Sequence, residues 1–404
     1  MKRLILCLFL LCFLTGCTME RRNDYLSVQD HVEQPTTRPT EKEEAEIPVV
    51  HNRTELRGAL LSLIRNWQET GVVQITDYEG DVEGDLNEAL LYATKQDPIG
   101  AYGVDYADGE IIGEGERMQI QFSIVFRRSA AETNAIIPVT DNAEVLVKIN
   151  EALENFSTAL TLRIRNYTEE DFSAHILRYC LENPRTVLAI PEFSAELYPE
   201  EGSHRILELH FSYPESKDSM RSKLYSMQTL FRSSALHAER GQTEAERAED
   251  IFRYLTGRAS SYKLGTETPV MPAYSLLSEK IAHDLSFAIV FHDRCKEGEL
   301  SSAIVTGEKD GAPYYWNLLY LDGQPYYVDL MRSLSYGEAS LTLLYEEDLL
   351  AEGYVWDMEQ YPTITRPTEE PTEESQGTSE GETEEATEES QEATENTESS
   401  SPTQ

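Results

Sequence analysis

The stretch "APYYWNLLYLDGQPYYVDL", residues Ala312 to Leu330, predicts a β-hairpin. Two runs rich in Tyr, Trp, Leu and Val flank Asp322-Gly323, a dipeptide that tolerates the positive φ angles of a two-residue turn. A turn of this length fixes the register of the two strands, so Asn317 is expected to face Val328.

The same register places three side chains on one face of the hairpin. Side chains alternate between the two faces of a strand, so Tyr314, Trp316 and Asp329 lie on the same side. Trp316 faces Asp329 directly, and Tyr314 is diagonal to it at roughly 7 to 8 Å. We therefore expect the long side chain of Tyr314 to reach the Asp329 carboxylate.

The hairpin and its surroundings resemble bacterial transglutaminase-like domains, which are relatives of the papain-like cysteine proteases. That family carries a His-Ala-Trp-Asn strand, an Asp-Gly or similar turn, and then Tyr-x-Val-Asp; "YYWN" and "YYVD" fill these places here. The similarity extends over Thr243 to Pro362, through "ERAEDIFRYLTGRASSY", "PAYSLLSEKIAHDLSFAIVFHDRC", "AIVTGEKDG" and "LTLLYEEDLLAEGYVWDMEQYP". The resemblance implies a papain-like core in which helices pack on an antiparallel sheet.

The chain departs from this family at the catalytic positions. Alignment of "DLSFA" with the family's Cys-x-Gly-aromatic-Ala motif puts Asp284 in the place of the nucleophile, and the general base falls on Tyr314. Only Asp329, the third member, matches. A carboxylate is a poor nucleophile toward amides, and a phenol with a pKa of about 10 is a poor proton shuttle at neutral pH. The resemblance therefore implies a degenerate triad, and no catalytic residue is expected.

Two interpretations of these three residues remain open. In the first, the old site has become a polar brace, with Asp284 as a helix N-cap worth about 1 kcal/mol and Tyr314 donating to Asp329. In the second, two carboxylates and a phenol line a small pocket that binds a cation or sugar hydroxyls.

The two cysteines beyond the N-terminal segment, Cys180 and Cys295, do not suggest another nucleophile. Cys180 lies among apolar residues of a predicted helix, and Cys295 lies about three turns beyond Asp284. Both are expected to be buried structural thiols. Two well-separated cysteines imply no disulfide framework and no cysteine-rich metal site, and we expect neither a metal nor a cofactor.

The N-terminal segment "MKRLILCLFLLCFLTGC" predicts export from the cytoplasm. It has a basic start and an apolar core, and it is too short for an ordinary membrane-spanning helix. Its Leu-Thr-Gly-Cys end resembles a bacterial lipobox, in which cleavage before Cys17 leaves that residue lipidated. Lipidated Cys17 would anchor the protein to the membrane in an extracytoplasmic location.

The charge balance limits the classes of partner. The chain has 73 acidic residues against 34 Lys and Arg, a formal net charge of −39. This excess argues against nucleic acid and against adhesion to anionic polymers. A Thr-, Ser- and Glu-rich C-terminal tail has too few apolar residues to fold and is predicted to be disordered.

An internal repeat lies between the leader and the transglutaminase-like region. Both copies have the order helix, short strand, Tyr-led acidic turn, second helix, then Asp-Pro or Asn-Pro. Each copy ends in an alternating strand, "MQIQFSIVF" or "RILELHFSY". Two such modules in series would form a spacer, or they would bind a ligand in a groove between them.

The predicted fold class is α+β, with two tandem small α/β repeat modules followed by a papain-like transglutaminase core. The predicted segments are a signal peptide (1–16), a flexible tether (17–50), module 1 (51–135), module 2 (141–235), the transglutaminase-like domain (240–362) and an acidic tail (363–404).

Three functional hypotheses follow from this organisation. The leading hypothesis is a lipid-anchored bacterial surface protein whose non-catalytic transglutaminase-like domain is a binding or scaffolding module for a cell-wall or extracellular peptide or glycan ligand. The second is a surface transglutaminase or peptidase with altered catalytic residues. The third is a purely structural spacer.

Overall fold

The computed structural model describes residues 47–233, 242–257 and 261–367. These residues form a mixed α+β fold with two compact units. The first unit contains residues 47–172 and 192–212, and the second contains 173–191 and the described residues from 213 onward.

The first sheet of the first unit has four strands in the order β1-β2-β4-β3. Strands β1 and β2 are parallel, and the other pairs are antiparallel. The elements are β1 (Val49–Asn52), α1 (Arg53–Arg65), β2 (Thr70–Glu79), α2 (Val82–Lys95), α3 (Pro98–Gly103), β3 (Val104–Ile112) and β4 (Gln119–Phe126).

The second sheet has the order β5-β6-β8-β7 and repeats the strand directions of the first sheet. Helix α6 follows β6 in the chain, as α2 follows β2, but from Ser173 it belongs to the second compact unit. The elements are α4 (Ala130–Asn134), β5 (Ile137–Asp141), α5 (Asn142–Glu154), β6 (Ala159–Asn166), α6 (Phe172–Glu182), β7 (Glu192–Tyr198) and β8 (Arg205–Ser212).

Helix periodicity and strand alternation together build the core under the first sheet. Leu56, Leu60 and Ile64 recur at helical spacing along α1 and are buried against alternate residues of β4, such as Ile120 and Phe122. The apolar faces of α1 and β4 therefore pack against each other in the core of the first unit.

The second unit is built around α10 (Asp284–Glu297), whose residues from Asp284 to Cys295 are all buried. A helix buried on every side has no polar face, so its charges need partners. Asp293 accepts two hydrogen bonds from the Arg185 guanidinium, at 2.7 and 2.9 Å. The other elements before the sheet are α7 (Lys217–Ser233), α8 (Glu244–Thr256), β9 (Lys263–Leu264), α9 (Pro272–Tyr274) with a π turn (Ser275–Glu279), and β10 (Ile281–Ala282).

An antiparallel sheet in the order β13-β12-β11-β14 completes the second unit. The predicted hairpin is confirmed: Asp322 and Gly323 have φ of 50° and 78°, and Asn317 pairs with Val328. The elements are β11 (Ser302–Lys309), β12 (Ala312–Leu321), β13 (Gln324–Val328), α11 (Leu330–Tyr336), α12 (Glu346–Ala351) and β14 (Tyr354–Trp356).

The folded part of the second unit continues past Pro362, where we placed its end. Ile364 is 3% exposed and packs into the aromatic core of the sheet. Arg366 forms ion pairs with Glu347 and Asp348 at 2.7 and 2.8 Å. The contacts of the second unit therefore extend to Arg366.

Within the described ranges, we find no helix with both the length and the apolar character needed to cross a membrane.

Candidate functional site

Asp284 is the first residue of α10 and is 6% exposed. Its Oδ2 accepts a hydrogen bond from the backbone N–H of Tyr315 at 2.8 Å, so the carboxylate ties the start of the helix to strand β12. The predicted N-cap role of Asp284 is wrong, because His283 is the N-cap. Asp284 instead lies in the first turn, where the helix dipole also favours negative charge.

His283 has two competing contacts at one ring nitrogen. Its Nδ1 lies 2.6 Å from Asp284 Oδ1 and 3.4 Å from the backbone nitrogen of Leu285. A single ring nitrogen cannot donate to a carboxylate and accept from an amide at once. The shorter contact is the stronger one, so His283 chiefly holds the Asp284 carboxylate in place.

Asp329 lies at the end of β13, begins α11 as its N-cap and is 2% exposed. Its Oδ1 accepts from the backbone N–H of Arg332 at 2.9 Å, and its Oδ2 accepts from the Tyr354 hydroxyl at 2.5 Å. The Tyr314 hydroxyl lies near the Asp329 carboxylate and lowers its pKa, against the larger effect of burial. The structure thus brings Tyr314 close to Asp329, and the Asp284 carboxylate contacts the backbone of the next residue, Tyr315.

Two further residues of this site, Tyr354 and Lys309, escaped the sequence analysis. Strand β14 pairs with β11 so that Tyr354 faces Lys309. The Lys309 ammonium donates to the Tyr354 hydroxyl at 2.8 Å and lies 4.2 Å from the centre of the Tyr354 ring. The alternating "GYVW" segment was a weak strand signal, and nothing in it showed which strand it would join.

The electrostatics of the site favour hydrogen-bond donation by its phenols. Burial raises the pKa of Tyr314 and of Tyr354 above their ordinary range, and the nearby Asp329 carboxylate adds to both shifts. Burial also raises the pKa of Asp329, while the bond from Tyr354 and the charge of Lys309 oppose that rise. A protonated phenol can donate to a carboxylate, as Tyr354 does to Asp329, and it cannot accept a proton from a substrate at neutral pH.

Trp316 is a core residue beneath this site. It is 1% exposed, and its ring packs edge-on against Tyr354 and Trp356 at centroid distances of 5.2 and 5.7 Å. A Cβ at Gly307 would lie 2.7 Å from the Trp316 ring, so this position of β11 needs glycine. The aromatic packing holds the strands that carry Tyr314 and Tyr354 at a fixed separation.

The cysteines within the described residues are not activated. Cys180 and Cys295 are buried, and burial raises the pKa of each thiol to about 12. The nearby His292 uses its Nδ1 on the Ser302 hydroxyl at 2.8 Å. Neither thiol is positioned or ionised for nucleophilic attack. Cys17, the predicted lipidation site, lies outside the described residues.

Two solved structures are distantly similar to this chain. A transglutaminase structure matches 51% of this chain and 56% of its own, with 11% identity and a TM-score of 0.24. A candidate cysteine protease from Cytophaga hutchinsonii matches 43% of this chain and 70% of its own, with 10% identity and a TM-score of 0.22. This chain spans just over half the length of the transglutaminase. No family model matches the chain, and no curated protein does. The likeness is one of fold at low identity and carries no conclusion about activity.

Proposed function

We propose that this protein is a lipid-anchored, extracytoplasmic binding or scaffolding protein whose transglutaminase-like core has lost its thiol chemistry. The proposed architecture is two tandem repeat modules followed by that papain-like core. The proposed ligand is a peptide or glycan of the cell wall or the extracellular space.

One observation carries the proposal for the core. The two positions that differ from the family motif are engaged in contacts that stabilise the fold. Asp284 accepts a hydrogen bond from the backbone N–H of Tyr315 at 2.8 Å, and the Tyr314 ring packs edge-on against Tyr354 beside buried Asp329. Acyl transfer by the family's route needs a thiolate beside an imidazole that a carboxylate orients. Here both carboxylates are buried and accept hydrogen bonds from the surrounding fold, Asp284 from Tyr315 and Asp329 from Arg332 and Tyr354, which supports the polar-brace interpretation.

The proposal for location rests on the sequence of residues 1–17. A basic start, an apolar segment and a terminal Gly-Cys support cleavage before Cys17 and attachment to the membrane through its lipid. A membrane-attached protein with a strongly negative body would remain soluble above the surface and would repel neighbouring anionic polymers.

Activity assays on the full-length protein test the loss of chemistry. We expect no amine incorporation and no peptidase turnover above background, and no change when Asp284 is replaced by Asn. Asp284→Asn keeps the shape and one acceptor for the Tyr315 amide, so the fold should survive. Hydrolysis by the wild type that disappears in Asp284→Asn, with an unchanged circular dichroism spectrum, would instead establish an enzyme with altered catalytic residues.

Co-sedimentation with purified cell-wall fragments tests the binding role. The proposal predicts saturable binding of the intact protein, and the same fragments after exhaustive removal of peptide or of attached glycan identify the ligand class. A protein that stays in the supernatant with every fraction would be a spacer and not a binding module.

A further inference from the structure

The first unit contains a cavity of about 650 Å³. One wall comes from the ends of α1 and α2 and the start of α3, with Arg65, Tyr92 and Ile99. The opposite wall comes from strand β6, with Arg163 and Arg165, and from the turn between β7 and β8. This volume is within the range of small-molecule sites, which is about 300 to 1,000 Å³.

The arginines of β6 reach this cavity because of strand alternation. Leu162 and Ile164 point into the core, while Arg163 and Arg165 are exposed on the other face of the same strand. Two residues apart on one face, their side chains lie side by side. In the part of the chain that the structure describes, neither guanidinium forms an ion pair with a carboxylate.

The acidic residues that line the cavity do not neutralise this pair. Asp97 is 6% exposed and is already occupied: its Oδ1 accepts from the backbone N–H groups of Ile99 and Gly100, both at 3.1 Å. Its Oδ2 faces Arg65 at 3.3 Å. Glu201, in the β7–β8 turn, is the second lining carboxylate. Three arginines against two carboxylates leave the cavity locally positive in a chain of net charge −39.

We propose that this cavity binds a small ligand that carries a carboxylate or phosphate group, with Arg163 and Arg165 as the anion clamp. A guanidinium offers a planar fork of donors that fits both groups and remains charged at any physiological pH. The apolar lining residues Tyr92, Ile99 and Pro138 give the uncharged part of the ligand surfaces to pack against. A small anion in this cavity is screened from acidic residues more than about 10 Å away. A long polyanion would come close to many of those residues and be repelled, so the acidic surroundings favour a small anion.

The proposal concerns the first unit alone and does not depend on whether the transglutaminase-like core is catalytic. Isothermal titration of the full-length protein with glucuronate, glucose 6-phosphate and neutral glucose tests it. We expect one or both charged probes to bind at one site and glucose to bind at least tenfold more weakly. The stronger of the charged probes identifies the recognised group.

Variants of the two arginines provide the decisive comparison. Arg163→Gln and Arg165→Gln should each weaken binding by about tenfold, as expected for loss of one charge-assisted hydrogen bond. Arg221→Gln is the matched control, because Arg221 is an exposed arginine on α7, outside the cavity. Because Arg163 and Arg165 are exposed, the melting temperature should stay within about two degrees of the wild type in all three variants.

Binding that persists in the Arg163→Gln, Arg165→Gln double variant would overturn the proposal, and so would equal binding of glucose and the charged probes. Absence of heat with every probe at concentrations of about 10 mM would also overturn it, since an arginine pair facing a shaped cavity should bind a matching anion more tightly than that.

Discussion

Replacement of the buried Asp329 tests whether the polar groups at positions 284, 314 and 329 stabilise the fold. Replacement by Ala removes the acceptor for the backbone N–H of Arg332 and for the Tyr354 hydroxyl, and it takes the carboxylate away from the nearby Tyr314 hydroxyl. The lost helix cap costs about 1 kcal/mol. Each buried hydroxyl left without an acceptor costs about 1 to 3 kcal/mol. Relief from burying the carboxylate offsets part of this loss, so we expect Asp329→Ala to reduce the unfolding free energy by about 3 to 5 kcal/mol.

Urea unfolding followed by tryptophan fluorescence measures this change in the second unit. Two of the three tryptophans, Trp316 and Trp356, lie in the aromatic core next to Asp329. Asp329→Asn is the conservative variant: it keeps the volume and one acceptor and should lose about 1 to 2 kcal/mol. Asp141→Ala, at the exposed N-cap of α5, isolates the cost of a lost cap and should lose about 1 kcal/mol from the first unit.

Two results would refute this reasoning. A loss below about 1 kcal/mol in Asp329→Ala would mean that the hydroxyls of Tyr314 and Tyr354 find other acceptors. Equal losses in Asp329→Asn and Asp329→Ala would mean that the negative charge, through Lys309, matters more than the hydrogen bonds.

Three other predictions address separate parts of the chain. Burial lowers the pKa of His292 to about 4, so its contribution to stability is present above pH 6.5 and is lost as the pH falls toward 4. That loss should reach about 3 kcal/mol in urea unfolding, and His292→Gln should show a correspondingly flatter pH dependence; parallel curves would contradict it. Cys17→Ser should abolish labelling by a fatty-acid probe and block maturation or release the protein from membranes, whereas unchanged labelling and fractionation would remove the lipoprotein proposal. A chain that stops after Pro367 should keep its melting temperature within about two degrees, because the acidic tail is predicted to be disordered. A chain that stops after Pro362 should melt lower, because it loses the buried Ile364, and equal melting temperatures would contradict the packing of that residue.

The sequence by itself determined the local features of this protein. The Asp322-Gly323 turn and the alternation around it were enough for the hairpin, its register and the shared face of Tyr314 and Asp329, because turn length and strand period act over a few residues. The same residues carry the resemblance to transglutaminase-like domains, with Asp284 and Tyr314 at the places of that family's Cys and His. Charge and composition set the limits on partners.

Tertiary structure alone decided which distant residues complete the site. Tyr354 meets Asp329 because β14 joins the edge of β11, and strand pairing across more than forty residues leaves no periodic mark in the sequence. The short edge strands β1 and β5 escaped prediction for the same reason, since four or five residues carry too little pattern to distinguish strand from loop. Asp284 lies in the first turn of α10 and not at its N-cap, and its carboxylate meets the Tyr315 amide of strand β12, a contact that no local pattern predicts. Local periodicity predicts the helices and strands, but only their packing in the folded chain brings particular polar side chains into contact.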